Sequence, residues 1–275
     1  MDNNDKKRIA VKVGTSSLTY PDGTLNLRNM DKLAQVISDM KHMGYDMILI
    51  SSGAISVGVN KLKLAERPVE LRIKQAAAAV GQCELMHLYD KFFGEYGVTV
   101  GQILLTSDDV QRDNGRGNLS GTFQSLLDLG AVPIVNENDS VSHEEIESEQ
   151  KIFGDNDTLS ALVAVFCSAD ILVLLSDIDG LYEQPPSVNP DARLIREVSV
   201  LDDDIKSRAS GAGSARGTGG MITKLQAAEI CMEHGIDTII ANGSRPQLLY
   251  SIADGNPFGT LFVGKSKTLD EVNNK

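Results

Sequence analysis

Residues 169–176 read "ADILVLLS", the most continuous apolar run in the chain. A strand apolar at successive positions has both faces covered, and that is the mark of a parallel sheet packed between helices. Working outward, similar runs stand at 8–13 ("RIAVKV"), 46–51 ("DMILIS"), 98–105 ("VTVGQILL"), 131–138 ("AVPIVNEN"), 235–242 ("GIDTIIAN") and 260–264 ("TLFVG"). Helix-period stretches separate them. In 29–43, Leu33, Val36, Ile37, Met40 and Met43 recur on one face until Gly44. Further helices are expected over about 53–95 with a break near Pro68, after a Thr106 cap, over 116–129, from Asp155 or Asn156 to about 167, over 221–234 and over 246–253. This alternation predicts an α/β fold, an open, mostly parallel sheet sandwiched by helices in three layers. Residues 183–220, rich in Pro, Ser and Gly, break the pattern and read as a hairpin or lobe inserted over the sheet.

The bulk composition narrows the function. The chain has 275 residues, no Trp and a net charge of −12, from 26 basic and 38 acidic residues. No dense basic run offers itself to nucleic acid, and no apolar run approaches the ~20 residues of a membrane helix. The polar start carries no export signal, and Cys83, Cys167 and Cys231 form no disulfide or metal pattern. The expectation is a cytoplasmic protein with neither nucleic-acid nor membrane partner. His42, His87, His143 and His234 lack ligand spacing, so no metal site is assigned to side chains.

Two motifs fail on context. "GTLFVGKS" (259–266) matches the phosphate-loop pattern, but its middle is a strong strand former and no helix follows. "GAGSARGTGG" (211–220) resembles a dinucleotide fingerprint, yet Arg216 stands where glycine is required. It does lead into a helix near Met221 with Lys224 in its first turn, an arrangement that presents amides and a cation to phosphate.

What remains is polar clusters at strand ends, where open α/β sheets bind ligands. Lys12 leaves the first strand before Gly14-Thr15-Ser16, and Ser51-Ser52-Gly53 follows the second. Asn136 to Asp139 follow a later strand, and Ser176-Asp177 another. Asp155 and Asp157 lie in a polar loop. Two lysines, glycine-rich turns and aspartates meet the needs of phosphoryl transfer, which asks for positioned cations, aligned oxygens and magnesium.

At these residues the chain closely resembles the amino-acid kinase family. The matching segments include "VKVGTSSLT" (11–19), "ILISSGAISVG" (48–58), "KQAAAAVGQCELM" (74–86), "VPIVNENDSV" (132–141), "FGDNDTLSALVA" (153–164), "LLSDIDGLY" (174–182) and "GTGGMITKLQAA" (217–228). They run in the family's order over about 8–264, which would make a single domain with tails at 1–7 and 265–275. "GTS" and "SSGAI" resemble the branch acting on glutamate more than those acting on acetylglutamate, aspartate, carbamate or UMP. The resemblance implies ATP-dependent phosphorylation of the glutamate side-chain carboxylate, the first step toward proline. Lys12, Lys224 and Asp157 would be catalytic, with Asp157 orienting the lysines. Lys12, Gly14, Ser176, Asp177 and the run Thr218, Gly219, Gly220, Met221, Ile222, Thr223, Lys224 would hold ATP, near the lobe at 183–220. Ser52, Gly53, Asp139 and Asn156 would hold glutamate, Asp139 at its ammonium group. The family also implies a homodimer or homotetramer and makes proline a candidate feedback inhibitor. The acidic stretch 143–150 reads as a solvated loop, or as a lid tuning glutamate or proline binding. Many relatives carry a further C-terminal PUA domain, for which this chain has no room. The competing readings are a sibling kinase for another acid, a non-catalytic amino-acid sensor, and a nicotinamide-dependent dehydrogenase.

Overall fold

The computed structural model describes residues 7–20, 22–111, 113–141, 156–186, 188–209, 220–256 and 258–265. Asp155, Thr218, Gly219, His143 and the acidic stretch 143–150 lie outside them. Strands β1 (Arg8–Val13), β2 (Asp46–Ile50), β3 (Val100–Leu105), β4 (Val132–Glu137), β5 (Ile171–Ser176), β6 (Glu197–Val198), β7 (Asp237–Asn242) and β8 (Thr260–Phe262) join in one sheet. Their order is β3-β4-β2-β1-β5-β7-β8-β6. All neighbouring pairs are parallel except β7–β8. The phosphate-loop look-alike therefore begins as β8, antiparallel to β7.

Helices cover both faces, as the apolar strands require. Alternation along β1 sends Ile9, Val11 and Val13 into one core, with α2 (Leu27–His42) and α4 (Leu71–Glu95). Ala10 faces the other core, with α7 (Asn156–Phe166) and α9 (Met221–Glu233). The two-residue period places Lys12 on the face of Ala10.

Helix ends follow local chemistry. Asn26 caps α2 by accepting the Asn29 N–H at 3.1 Å, and Gly44 ends it at φ 100°. Thr106 precedes α5 (Ser107–Gln111), where Asp109 accepts both its N–H, at 2.8 Å, and its hydroxyl, at 2.6 Å. The expected break near Pro68 separates α3 (Ala54–Lys61) from α4. These two helices touch backbone to backbone. A methyl group on Gly81 would fall 1.8 Å from Ala54 O, and one on Gly58 1.8 Å from Ala77 O.

Three elements had no periodic signal: the one-turn α1 (Thr15–Leu18), β6, and α8 (Asp203–Ala209). Within the expected lobe, Tyr182 and Leu194 form an antiparallel bridge, after which the chain returns to the sheet as β6 beside β8. α6 (Asp113–Asp128) and α10 (Leu248–Ala253) complete the helices among the described residues.

Candidate active site

The site is built where β1, β2, β4 and β5 end. Asp157, in the first turn of α7, is fully buried. Lys12 Nζ donates to its Oδ1 at 2.5 Å, and Lys224 Nζ donates to its Oδ2 at 3.0 Å. The Thr223 hydroxyl donates to the same Oδ2 at 3.0 Å. Both lysines are themselves buried, 6% and 5% exposed. Burial by itself would raise the Asp157 pKa, but the charges and hydrogen bonds of Lys12 and Lys224 outweigh it, and the carboxyl sits below the usual range.

Two buried ammonium groups are held on one buried carboxylate, and at such burial each charge acts strongly on an anion brought beside it. Helix polarity adds to this. Lys224 lies near the positive end of α9, where a cation is disfavoured, so its position depends on Asp157. Thr223 tightens that end by donating to Gly220 O at 2.9 Å.

The other expected site residues fall around this centre. The Ser52 hydroxyl donates to Val13 O at 2.7 Å, so toward a ligand it can only accept. Gly53 has φ 90°, a left-handed conformation suited to glycine, and turns the chain into α3 beside Thr15. Asn156 donates from Nδ2 to Ser51 O at 3.4 Å, and its neighbour is Asp157. Ser176 donates to Asp177 Oδ1 at 3.0 Å. Both line a cavity of about 570 Å³ with Ser16 and Asn242.

Two side-chain expectations change form. The Gly14 N–H donates to Leu175 O at 3.3 Å, continuing the β1–β5 ladder, so it is not offered to a ligand. The first turn of α1 carries the Thr15 and Ser16 amides just beyond it. The Met221 side chain is buried in the core, whereas Ile222 is half exposed.

Asp139 sits in the turn after β4, away from the lysine pair's hydrogen bonds. Burial pushes its carboxyl up to about 6, with Arg67 opposing the shift. Supporting contacts come from α4, which the sequence reading left as plain helix. Gln82 accepts from Asn136 Nδ2 at 2.8 Å, and Tyr89 and Ser51 share a hydrogen bond of 2.9 Å. Both are polar residues on a mostly apolar inner helix face, a weak signal that three-dimensional neighbours alone make meaningful. Arg67 had no signal of its own.

No cluster of three His, Cys, Asp or Glu able to hold a metal occurs among the described residues, and none of their helices is long and apolar enough to span a membrane.

Comparison with known proteins agrees with this geometry. Residues 7–242 match the signature described as the amino acid kinase family. The glutamate 5-kinase of Clostridium perfringens is 52% identical over 95% of this chain and 97% of its own. That of Listeria monocytogenes is 50% identical, covering 96% and 95%. Among solved structures, carbamate kinase from Giardia lamblia bound to AMP-PNP superposes with a TM-score of 0.66 at 16% identity, over 94% of this chain and 99% of its own. Isopentenyl phosphate kinase from T. acidophilum gives a TM-score of 0.62 at 18% identity, over 93% and 100%.

Proposed function

This chain belongs to the amino acid kinase family, and we propose that within it the chain transfers the γ-phosphoryl group of ATP to the side-chain carboxylate of L-glutamate. The observation that carries the reading is the Lys12–Asp157–Lys224 arrangement on a chain half identical to glutamate 5-kinases along nearly its whole length.

The chemistry follows from charge. The attacking carboxylate is already ionised near neutrality, so no general base is needed. One of its oxygens forms a bond to the γ-phosphorus as the bond to the bridging oxygen of ADP breaks. Glutamyl 5-phosphate and ADP are the products, and no proton moves. The barrier is repulsion between two anions. Lys12 and Lys224 offset it from fixed positions, needing no reorganisation as the phosphoryl group passes. Asp157 holds both ammonium groups apart and aimed. The Thr15 and Ser16 amides, with Ser176 and Asp177, serve the nucleotide, and the Gly220–Lys224 turn closes on it. Asp139, Ser52, Gly53 and Asn156 serve glutamate.

Magnesium would enter with ATP and would supply charge neutralisation at the phosphates. The described donor set suits that route better than a protein cage, since both Asp157 oxygens are taken by ammonium groups. Residues 8–264 act as one kinase domain in the cytoplasm, assembled as a homodimer or homotetramer, with proline as the candidate feedback inhibitor.

The test is purified protein with ATP, magnesium and L-glutamate, with hydroxylamine trapping the acyl phosphate as a hydroxamate. Glutamate-dependent hydroxamate and ADP are expected. Turnover of another acid but not glutamate overturns the substrate. Binding of amino acid without turnover of any acid overturns the enzyme reading.

A further inference from the structure

We propose that Arg28 and Lys32 form a second cationic site, on the wall of the cavity shared with Ser176 and Asp177, and that it holds a phosphate group other than the one transferred. The inference extends the activity above and rests on it only in counting the nucleotide among the carriers of that phosphate.

The start of α2 supplies that wall. Arg28, Asn29 and Lys32 all line the cavity, together with Ser176 and Asn242 from the ends of β5 and β7. Arg28 and Lys32 are four positions apart, so they share one helix face. Asn29 fixes the wall in place. It is only 7% exposed, and its Nδ2 donates to Ser17 O at 2.9 Å and to Gly243 O at 3.1 Å. One buried side chain thus pins α2 to α1 and to the turn after β7. In that turn the Gly243 N–H donates to Ser176 O at 2.7 Å, and a methyl group on Gly243 would fall 2.3 Å from Ser17 Oγ. The cavity is a built concavity, closed at three corners by direct contact.

Its charge is unbalanced. Among the described residues the lining carries two cations and one carboxylate, Asp177, whose Oδ1 already accepts from Ser176. No carboxylate of the described residues pairs with Arg28 or Lys32, although the chain has 38 acidic residues against 26 basic ones. The neighbouring Asp31 is engaged elsewhere, accepting from the Tyr96 hydroxyl at 2.9 Å. Both cations sit in the first two turns of α2, at the positive end of the helix, where an anion is favoured and a lone cation is not. An anion in the cavity would meet both side chains and that helix end together.

The lining also selects the kind of anion. Apart from the Tyr20 ring it is made of hydroxyl, amide and charged groups, whereas a flat base or an acyl chain asks for apolar walls. A phosphate group suits it. Arg28 offers a planar fork and Lys32 a compact charge, and the Ser16 and Tyr20 hydroxyls add neutral donors. Ser16 borders the lysine centre as well. Its Oγ and Lys12 Nζ lie 3.8 and 4.0 Å from the position that a methyl group on Gly14 would take. A polyphosphate reaching back from the lysine pair would therefore meet the α2 wall, and so would a separate phosphate entering the cavity.

The test is calorimetry on the full chain at low ionic strength, since salt screens exposed charges. It compares the wild type, the double variant Arg28→Gln/Lys32→Gln, and Lys41→Gln, which removes a cation from the last turn of the same helix. If the phosphate is the nucleotide's own, the double variant binds AMP-PNP about tenfold more weakly, the scale of a charge-assisted contact discounted for solvent. Lys41→Gln then binds it as the wild type does, and inorganic phosphate competes with it. If the phosphate is separate, wild-type protein saturated with AMP-PNP still takes up inorganic phosphate, and the double variant weakens that uptake about tenfold without changing AMP-PNP affinity. Either result supports the site. A double variant that binds both AMP-PNP and inorganic phosphate like the wild type overturns it. So does an equal loss in Lys41→Gln, which would reduce the effect to net charge. Loss of binding in the double variant, on a protein that phosphorylates no glutamate, upholds this site and overturns the activity alone.

Discussion

Replacing Asp157 by Asn removes one charge and almost no volume, and it isolates what that carboxylate does. Each ammonium group bonds a different oxygen of Asp157, at 2.5 and 3.0 Å. Without that carboxylate the two ammonium groups repel one another, by about 3 kcal/mol for unit charges ~6 Å apart at an effective dielectric of 20. Losing the buried counter-charge adds the cost of an unpaired buried ion, so the variant should lose ~3–5 kcal/mol of stability in urea titrations. Anion binding should move the other way. The site loses one negative charge, so tripolyphosphate or ATP should stabilise Asp157→Asn by more than it stabilises the wild type, through ordinary ligand linkage. Turnover should still fall by about 100-fold or more, because the cations bind phosphate without being aimed at the transferring group. A variant within 1 kcal/mol of wild type, with an unchanged response to tripolyphosphate, would refute the reasoning.

Lys12→Ala and Lys224→Ala should each cut kcat by about 100-fold or more, the scale of one lost transition-state charge contact; near-normal turnover in both would remove their proposed roles. The Asp139 carboxyl, pushed up to about 6, must ionise to hold an ammonium group. Hence kcat/KM for glutamate should climb about tenfold per pH unit up to pH ~6 and then level off, and a profile flat from pH 5 to 8 would contradict this. Because burial holds its folded pKa above the ordinary carboxylate value, stability is lost as pH rises from that value through about 6. Asp139→Asn should therefore resist denaturation better than wild type at pH 7 while binding glutamate less well. Gly81→Ala should cost ~3 kcal/mol or more, or abolish soluble expression, since its methyl group would meet Ala54 O at 1.8 Å.

Much of the architecture was legible in the sequence. The apolar runs of β1, β2, β4, β5 and β7 are long and bounded by turn residues, and α2 and α9 are long and periodic. Boundaries drifted by a few residues, as at α6, whose early residues are polar and lack a periodic stripe. The short elements α1, β6 and α8 carry too few residues to show a period, and tertiary contacts alone hold them. The two lysines were readable because cations at strand and helix ends match phosphoryl transfer, whereas Asp157 as their bridge came from the family resemblance. The orientation of Ser52, the sheet-bound amide of Gly14 and the inward Met221 were not, because a hydrogen-bond direction is a property of the folded neighbours. Gln82 and Tyr89 take their meaning from Asn136 and Ser51, which lie elsewhere in the chain.

The Asp157 bridge joins Lys12, 145 positions away, to Lys224, 67 positions away. During synthesis, then, Lys12 and Asp157 are both made well before Lys224. The second ion pair forms only once α9 docks beside α7, so the paired-lysine arrangement is among the later features of the chain to assemble.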